Sequence, residues 1–219
     1  MKKQAYNKKL TVGHFLKKVK KCMASVSQKK IDKKLRLLKS AYTLFESKGV
    51  NMTAVDDVVK AAGVAKGTFY LYFKDKHDLI DQMMIAESRT VLHGILGELR
   101  ENCKKETFSP ADRLSFVFNR FLDYFVNHQK MIPLLTKNFS ACYRANCESD
   151  DEETREDMKQ LLMPFLDVGM SEAEANIHLF LLSDMLGGVC CNAISGDFPY
   201  DLNAIRPCLD SVIRKSITP

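Results

Sequence analysis

Ile31, Leu35, Leu38, Ala41, Tyr42 and Phe45 recur at helical spacing with Lys and Arg between them, and Gly49 follows as a stop. The pattern predicts an amphipathic first helix. Thr53-Ala-Val-Asp56 then reads as a capping box, its hydroxyl meeting a free backbone N–H while Asp56 sits at the positive helix end. Val55, Val58, Val59 and Ala62 fill a short second helix. Gly63 breaks it, Val64 plugs the turn, and a third helix is expected from Ala65 to Phe73, with Phe69 and Phe73, four apart, packing inward. Asp75 is the expected N-cap of a fourth helix from near Lys76 through Leu79, Met83, Ile95 and Leu99 toward Asn102.

Ser109-Pro110-Ala-Asp112 marks a further start, with Pro in the first turn, where its missing N–H costs nothing. The stretch from there to Asn127 is rich in Phe. A shorter helix is predicted near Met131 to Phe139, and an acidic segment from Glu148 to Asp157 leads into another from Met158 to Asp167. A final pair is expected at about 171–194 and 201–217. The fold class is all-α, with about nine helices and no internal repeat.

Composition narrows the class further. Of 219 residues, 46% are hydrophobic and 27% charged, while six Pro and ten Gly are too few for a many-turned all-β architecture. No run approaches eighteen uncharged apolar residues, so no membrane span is expected. The apolar run from Leu10 to Leu16 is broken by Gly13 and His14, which argues against export. Seven cysteines without a CxxC pair fit neither a disulfide framework nor a zinc knuckle, and suit a reducing, cytoplasmic setting. No P-loop, GxSxG, GxGxxG or HExxH is present, and the five His show no ligand spacing. Neither an enzyme, a metal nor a cofactor is expected.

Charge is polarised along the chain. Residues 1–78 hold 19 Lys and Arg against 6 Asp and Glu, whereas residues 79–219 hold 14 against 21. A segment this basic attracts a polyanion and the acidic remainder repels one, so one end of the molecule faces nucleic acid or an anionic surface. The first thirty residues carry ten Lys and no acid; a solvated tail and a DNA-contacting arm both fit them.

Helix, glycine turn, helix is the arrangement that puts a recognition helix into a major groove about 12 Å wide. Here Lys66 supplies a cation, Gly67 allows close backbone approach, Thr68 donates and accepts, and the Tyr70 and Tyr72 hydroxyls can reach phosphates. Lys76, beside the start of the next helix, joins free backbone N–H groups in an anion site. The run from Thr53 to Ile80, TAVDDVVKAAGVAKGTFYLYFKDKHDLI, resembles the tetracycline-repressor (TetR) family of bacterial transcription regulators, and the resemblance covers roughly residues 31–85. It implies an all-α homodimer with a helix-turn-helix DNA-binding domain over 31–78, after the basic extension 1–30, and a C-terminal effector-binding and dimerisation domain over 79–219. By that resemblance Thr53, Tyr72 and Lys76 contact phosphates, Lys66, Gly67, Thr68 and Leu71 face base edges, and Tyr70 lies against the backbone.

Phe116, Phe118, Phe121, Tyr124 and Phe125 crowd one predicted helix, with Phe139, Tyr143, Met163, Phe165 and Met170 nearby in sequence. Core packing and a cavity both fit such a stripe, yet five aromatics exceed one buried face. In the resembled family the corresponding helices enclose the effector, which makes Phe116, Arg120, Phe121, Tyr124, Phe125, Phe139, Tyr143 and Met163 the expected ligand-binding set. The effector expected there is mainly apolar or aromatic, with Arg120 either solvated or paired to an acid. The resemblance also makes Ile177–Ile194 and Leu202–Ile217 the dimer candidates. Gly187-Gly188 costs about 1 kcal/mol per glycine in a helix unless close approach compensates, so a crossing point is expected there. Cys190-Cys191 fits buried thiols or a sensor.

The sequence thus points to a dimeric regulator, a repressor that binds a palindromic operator. An effector releases it by favouring the unbound form and tilting the fourth helix. Two other readings use the same residues: a nucleoid-associated adaptor with a protein partner and no small ligand, and a peripheral membrane protein acting through its Lys-rich start.

Overall fold

A computed structural model describes residues 28–196 and 199–217; the expected roles of the Lys-rich extension fall outside the described residues but for its last three. Among the described residues there are nine α-helices and no strand: α1 (Gln28–Lys48), α2 (Val55–Ala62), α3 (Lys66–Tyr70), α4 (Lys76–Cys103), α5 (Pro110–Asn127), α6 (Ile132–Cys147), α7 (Glu152–Leu166), α8 (Glu172–Ser195) and α9 (Leu202–Lys215). No helix among them is long and apolar enough to cross a membrane. The chain divides into two compact units between Thr90 and Val91, inside α4.

In the first unit α1 buries Leu35, Leu38, Ala41, Tyr42 and Phe45, the stripe its periodicity foretells, together with Leu37. That face packs on α2, which contributes Val58, Val59 and Ala62. Gly63 ends α2 at φ +63°, and its N–H reaches the Lys60 carbonyl while the Val64 N–H reaches that of Val59. This is a Schellman cap, which a residue bearing a Cβ would strain. The third helix is five residues long, not nine, because the N–H groups of Tyr72 and Phe73 both converge on the Phe69 carbonyl and close the ladder. Phe69 and Phe73 are nonetheless buried, 5.4 Å apart, and each contributes about 1.5–3 kcal/mol by leaving water.

The second unit is built around α5. Ser109 caps it, accepting from the Asp112 N–H, with Pro110 next in the chain. Leu114, Val117, Phe118 and Leu122 face a core shared with Phe165 of α7 and Leu179 and Leu182 of α8. α9 lies along α5 and is held there by charge as well as apolar area: Arg214 reaches Asp112 at 2.7 Å, and Arg206 reaches Asp123 at 2.7 Å. Two elements differ from their expected bounds. α6 runs on to Cys147, since Tyr143, one turn after Phe139, packs 5.4 Å from Phe180 on α8. α7 starts inside the acidic segment, at Glu152, because Asp151 accepts from the Thr154 N–H and two glutamates favour the helix start.

Candidate nucleic-acid interface

The buried pair Phe69 and Phe73 fixes how α3 is turned, and with it what the first unit shows to solvent. Lys66, Gly67 and Tyr70 are exposed, and Leu71 is 79% exposed just after the helix. Thr68 and Tyr72 are half-buried at the edges of this face. A Cβ added to Gly67 would meet nothing within 4 Å, so packing within the unit does not require glycine there. Glycine in a helix costs about 1 kcal/mol against Ala, and this one leaves the backbone open to whatever approaches α3. Met52, 74% exposed on the loop before α2, is a further large apolar side chain left in water that the stripe reading passed over, because it belongs to no helical period.

Electrostatics of the face are set by short pairs within it. The Lys66 ammonium lies 2.7 Å from the Asp56 carboxylate of α2, both exposed. The hydrogen bond to Asp56 holds the Lys66 ammonium above its ordinary pKa, so it is a full cation. Lys76 donates to the Val50 carbonyl at 2.6 Å, which pins the start of α4 to the loop before α2. Lys48 pairs with Asp57 at 2.7 Å.

Two sequence expectations are corrected here. Thr53 does not cap α2: its side chain is turned inward, 1% exposed, and its hydroxyl donates to the Gly49 carbonyl at 2.7 Å. The cap position is Ala54, whose N–H is taken by Asp57 at 3.0 Å, so the reciprocal half of a capping box forms one residue later than the sequence pattern placed it. The Thr53 hydroxyl is therefore spent inside the chain rather than offered to a phosphate. The start of α4 is likewise no vacant anion site. Asp75 does cap α4, accepting from the Asp78 N–H at 2.9 Å, and Asp78 accepts from the Lys74 N–H at 2.8 Å. Two carboxylates already occupy the positive helix end.

Among the described residues, those expected to line an effector pocket fall into more than one cluster of contacts. Phe116 carries the Arg120 guanidinium 5.3 Å above its ring, and Arg120 pairs with Glu98 at 2.9 Å and with Asp123. Tyr124 is buried and stacks on His128 at 4.4 Å, with Phe125 against it and Phe121 beyond. Phe139 and Tyr143 form a separate cluster with Phe180, and the Tyr143 hydroxyl donates to Asn176. Met163 lines a cleft with Leu99 and Cys103. Each aromatic of α5 named here has a ring or cation neighbour, contacts that periodicity in one helix could not show. Of the pair expected at a crossing point, Gly187 is buried and Gly188 is exposed, where an added Cβ would meet nothing within 4 Å. Cys190 is buried, and burial pushes its thiol up to about 12, the state of an inert core thiol.

A sequence model of the bacterial regulatory proteins of the tetR family matches residues 37–83, the span of α1 to α3 and the start of α4. By its N-terminal unit, the chain is similar to the tetR family. Among curated relatives, the HTH-type transcriptional regulator YhgD of Bacillus subtilis, itself uncharacterized, is 42% identical over 112 residues, 49% of this chain and 54% of that protein. The fatty acid metabolism regulator protein of the same organism is 22% identical, over 81% of this chain and 92% of its own. A solved TetR transcriptional regulator from Rhodococcus sp. RHA1 shares the fold at a TM-score of 0.54 and 21% identity, covering 87% of this chain and 96% of that one. The chain spans from about a quarter to about half the length of seven of the curated relatives it matches.

Proposed function

We propose that this protein is a tetR-family DNA-binding transcription regulator, a repressor that inserts α3 into the major groove of a palindromic operator. The observation that carries the reading is the face of α3: Lys66, a sterically unneeded Gly67, Tyr70 and Leu71 stand in solvent on a helix that two buried Phe lock in place. A helix of five residues buries too little to justify leaving Leu71 and Tyr70 in water, unless a partner covers them. Duplex DNA suits the chemistry, with Lys66 and Thr68 for base edges, Leu71 for a thymine methyl, and Lys76, Tyr70 and Tyr72 for phosphates.

The second unit supports a homodimer. Ile177, Leu181 and Gly188 lie exposed along one face of α8, and Ala204, Cys208 and Val212 recur every four residues on α9. The open space over Gly188 is room for a helix of a second copy. A small effector, mainly apolar, bound in this unit more tightly in the released state than in the DNA-bound state, would shift the equilibrium off the operator. The test is selection from a pool of random duplexes by the full chain. A palindromic sequence enriched by the wild type and not by a Leu71→Ala, Tyr70→Ala double variant supports the reading; no enrichment, with or without candidate effectors, refutes it.

A further inference from the structure

In the second unit a cleft of about 380 Å³ lies among the end of α4, the start of α5 and the last turns of α7. That volume falls within the range of about 300–1,000 Å³ that small-molecule sites occupy. Leu99 and Met163 give it apolar wall, and Arg100, Lys104 and Arg113 give it three cations. None of the lining residues is acidic.

The three cations have donors to spare. Arg100 directs one N–H at the Gln160 side chain, 2.5 Å away, with Asp157 at 3.7 Å from the same nitrogen. Lys104 uses one N–H on Glu101, and Arg113 one on Asp167, while the Arg113 Nε is buried with no hydrogen-bond partner. Their carboxylate partners hold the side chains in position from outside the lining. A charged group with unspent donors beside apolar wall is matched by a ligand that is anionic at one end and apolar at the other, since such a molecule meets both surfaces at once.

We infer that this cleft binds a small amphipathic monoanion, a carboxylate with an apolar body. The site stands apart from the DNA-binding reading and from most of the aromatic residues expected to line a pocket, and its test does not involve DNA.

Cys103 makes the test direct, because it lines the cleft and is exposed, whereas Cys147 and Cys208 are exposed elsewhere in the same unit. The full chain is alkylated with iodoacetamide in the presence of octanoate, octylamine or octanol, and each cysteine is followed by peptide mass spectrometry. Octanoate is expected to slow alkylation of Cys103 about threefold or more at saturation while leaving Cys147 and Cys208 unchanged, and octylamine is expected to leave all three alike. Lys104→Glu, at an exposed position, is expected to raise the octanoate concentration needed for protection about fivefold or more, by removing one attraction and adding one repulsion. The inference is overturned if Cys103 reacts at the same rate with and without octanoate, if octanol or octylamine protects it as well, or if Lys104→Glu leaves the protection unaltered.

Discussion

The Lys66 ammonium, the cation at the head of α3, lies 2.7 Å from the carboxylate of Asp56 on α2. The lysine proposed to meet DNA is therefore held by an acid of its own chain. Both groups are exposed, so water screens the pair and a phosphate or a guanine edge can displace it. Asp56→Asn is expected to raise affinity for random duplex DNA about two- to tenfold at low salt, with the gain shrinking as salt rises, as fluorescence anisotropy would register. Unchanged affinity would mean that Lys66 does not reach DNA.

Lys66 and Lys76 are expected to fail differently. Lys66→Ala should cost about 1–3 kcal/mol on a selected operator if the ammonium reads a base edge. Lys76→Ala should weaken all sequences alike and lower the salt slope by about one. Because Lys76 also holds the Val50 carbonyl, its loss should lower the unfolding free energy by about 0.5–1.5 kcal/mol, measured by urea titration without DNA.

Thr53→Val keeps the shape of the side chain and removes its bond to the Gly49 carbonyl. The expected cost is about 1–2 kcal/mol, read as a lower urea midpoint at constant slope. An unchanged midpoint would show that the inward hydroxyl contributes nothing to the loop before α2.

Leu181→Glu places a charge in the middle of the exposed apolar face of α8. If that face joins two copies, sedimentation of the wild type gives a dimer and that of the variant a monomer at the same concentration. A variant that remains dimeric would move the interface elsewhere.

Asp112 ties the start of α5 to Arg214 of α9. Its carboxyl is held below the usual 3.8, first by the Ser109 hydroxyl and then by Arg214. A carboxyl depressed in the folded state stabilises the fold above its ordinary pKa, and that contribution fades as pH falls through the lowered value. Asp112→Asn should therefore be less stable than wild type at neutral pH, and the gap should narrow below about pH 4 in denaturation curves taken across the acid range. A constant gap down to pH 2 would assign the loss to packing instead.

Much of the first unit was legible because its signals are local. The spacing of Leu35, Leu38, Ala41 and Phe45 names the buried side of α1, Gly63 names the turn, and Phe69 with Phe73 names the inner side of α3. The pocket was less legible: Phe121, Tyr124 and Phe139 look alike as a list of aromatics, but whether rings enclose a space or fill it depends on helices that meet from elsewhere in the chain.

The sequence by itself determined which segments are helical, short of the ends of α3, α6 and α7, and which sides of α1 and α3 are apolar, since both follow from backbone geometry repeating every three or four residues. Only the tertiary structure decided that Thr53 turns inward, that Lys66 faces Asp56, that Lys76 reaches back twenty-six residues to Val50, and that Arg100, Lys104 and Arg113 come together around one cleft. Those relationships join atoms on different elements. Their partners are set by where packed helices bring side chains within about 3 Å of each other, a distance that no periodicity along a single helix encodes.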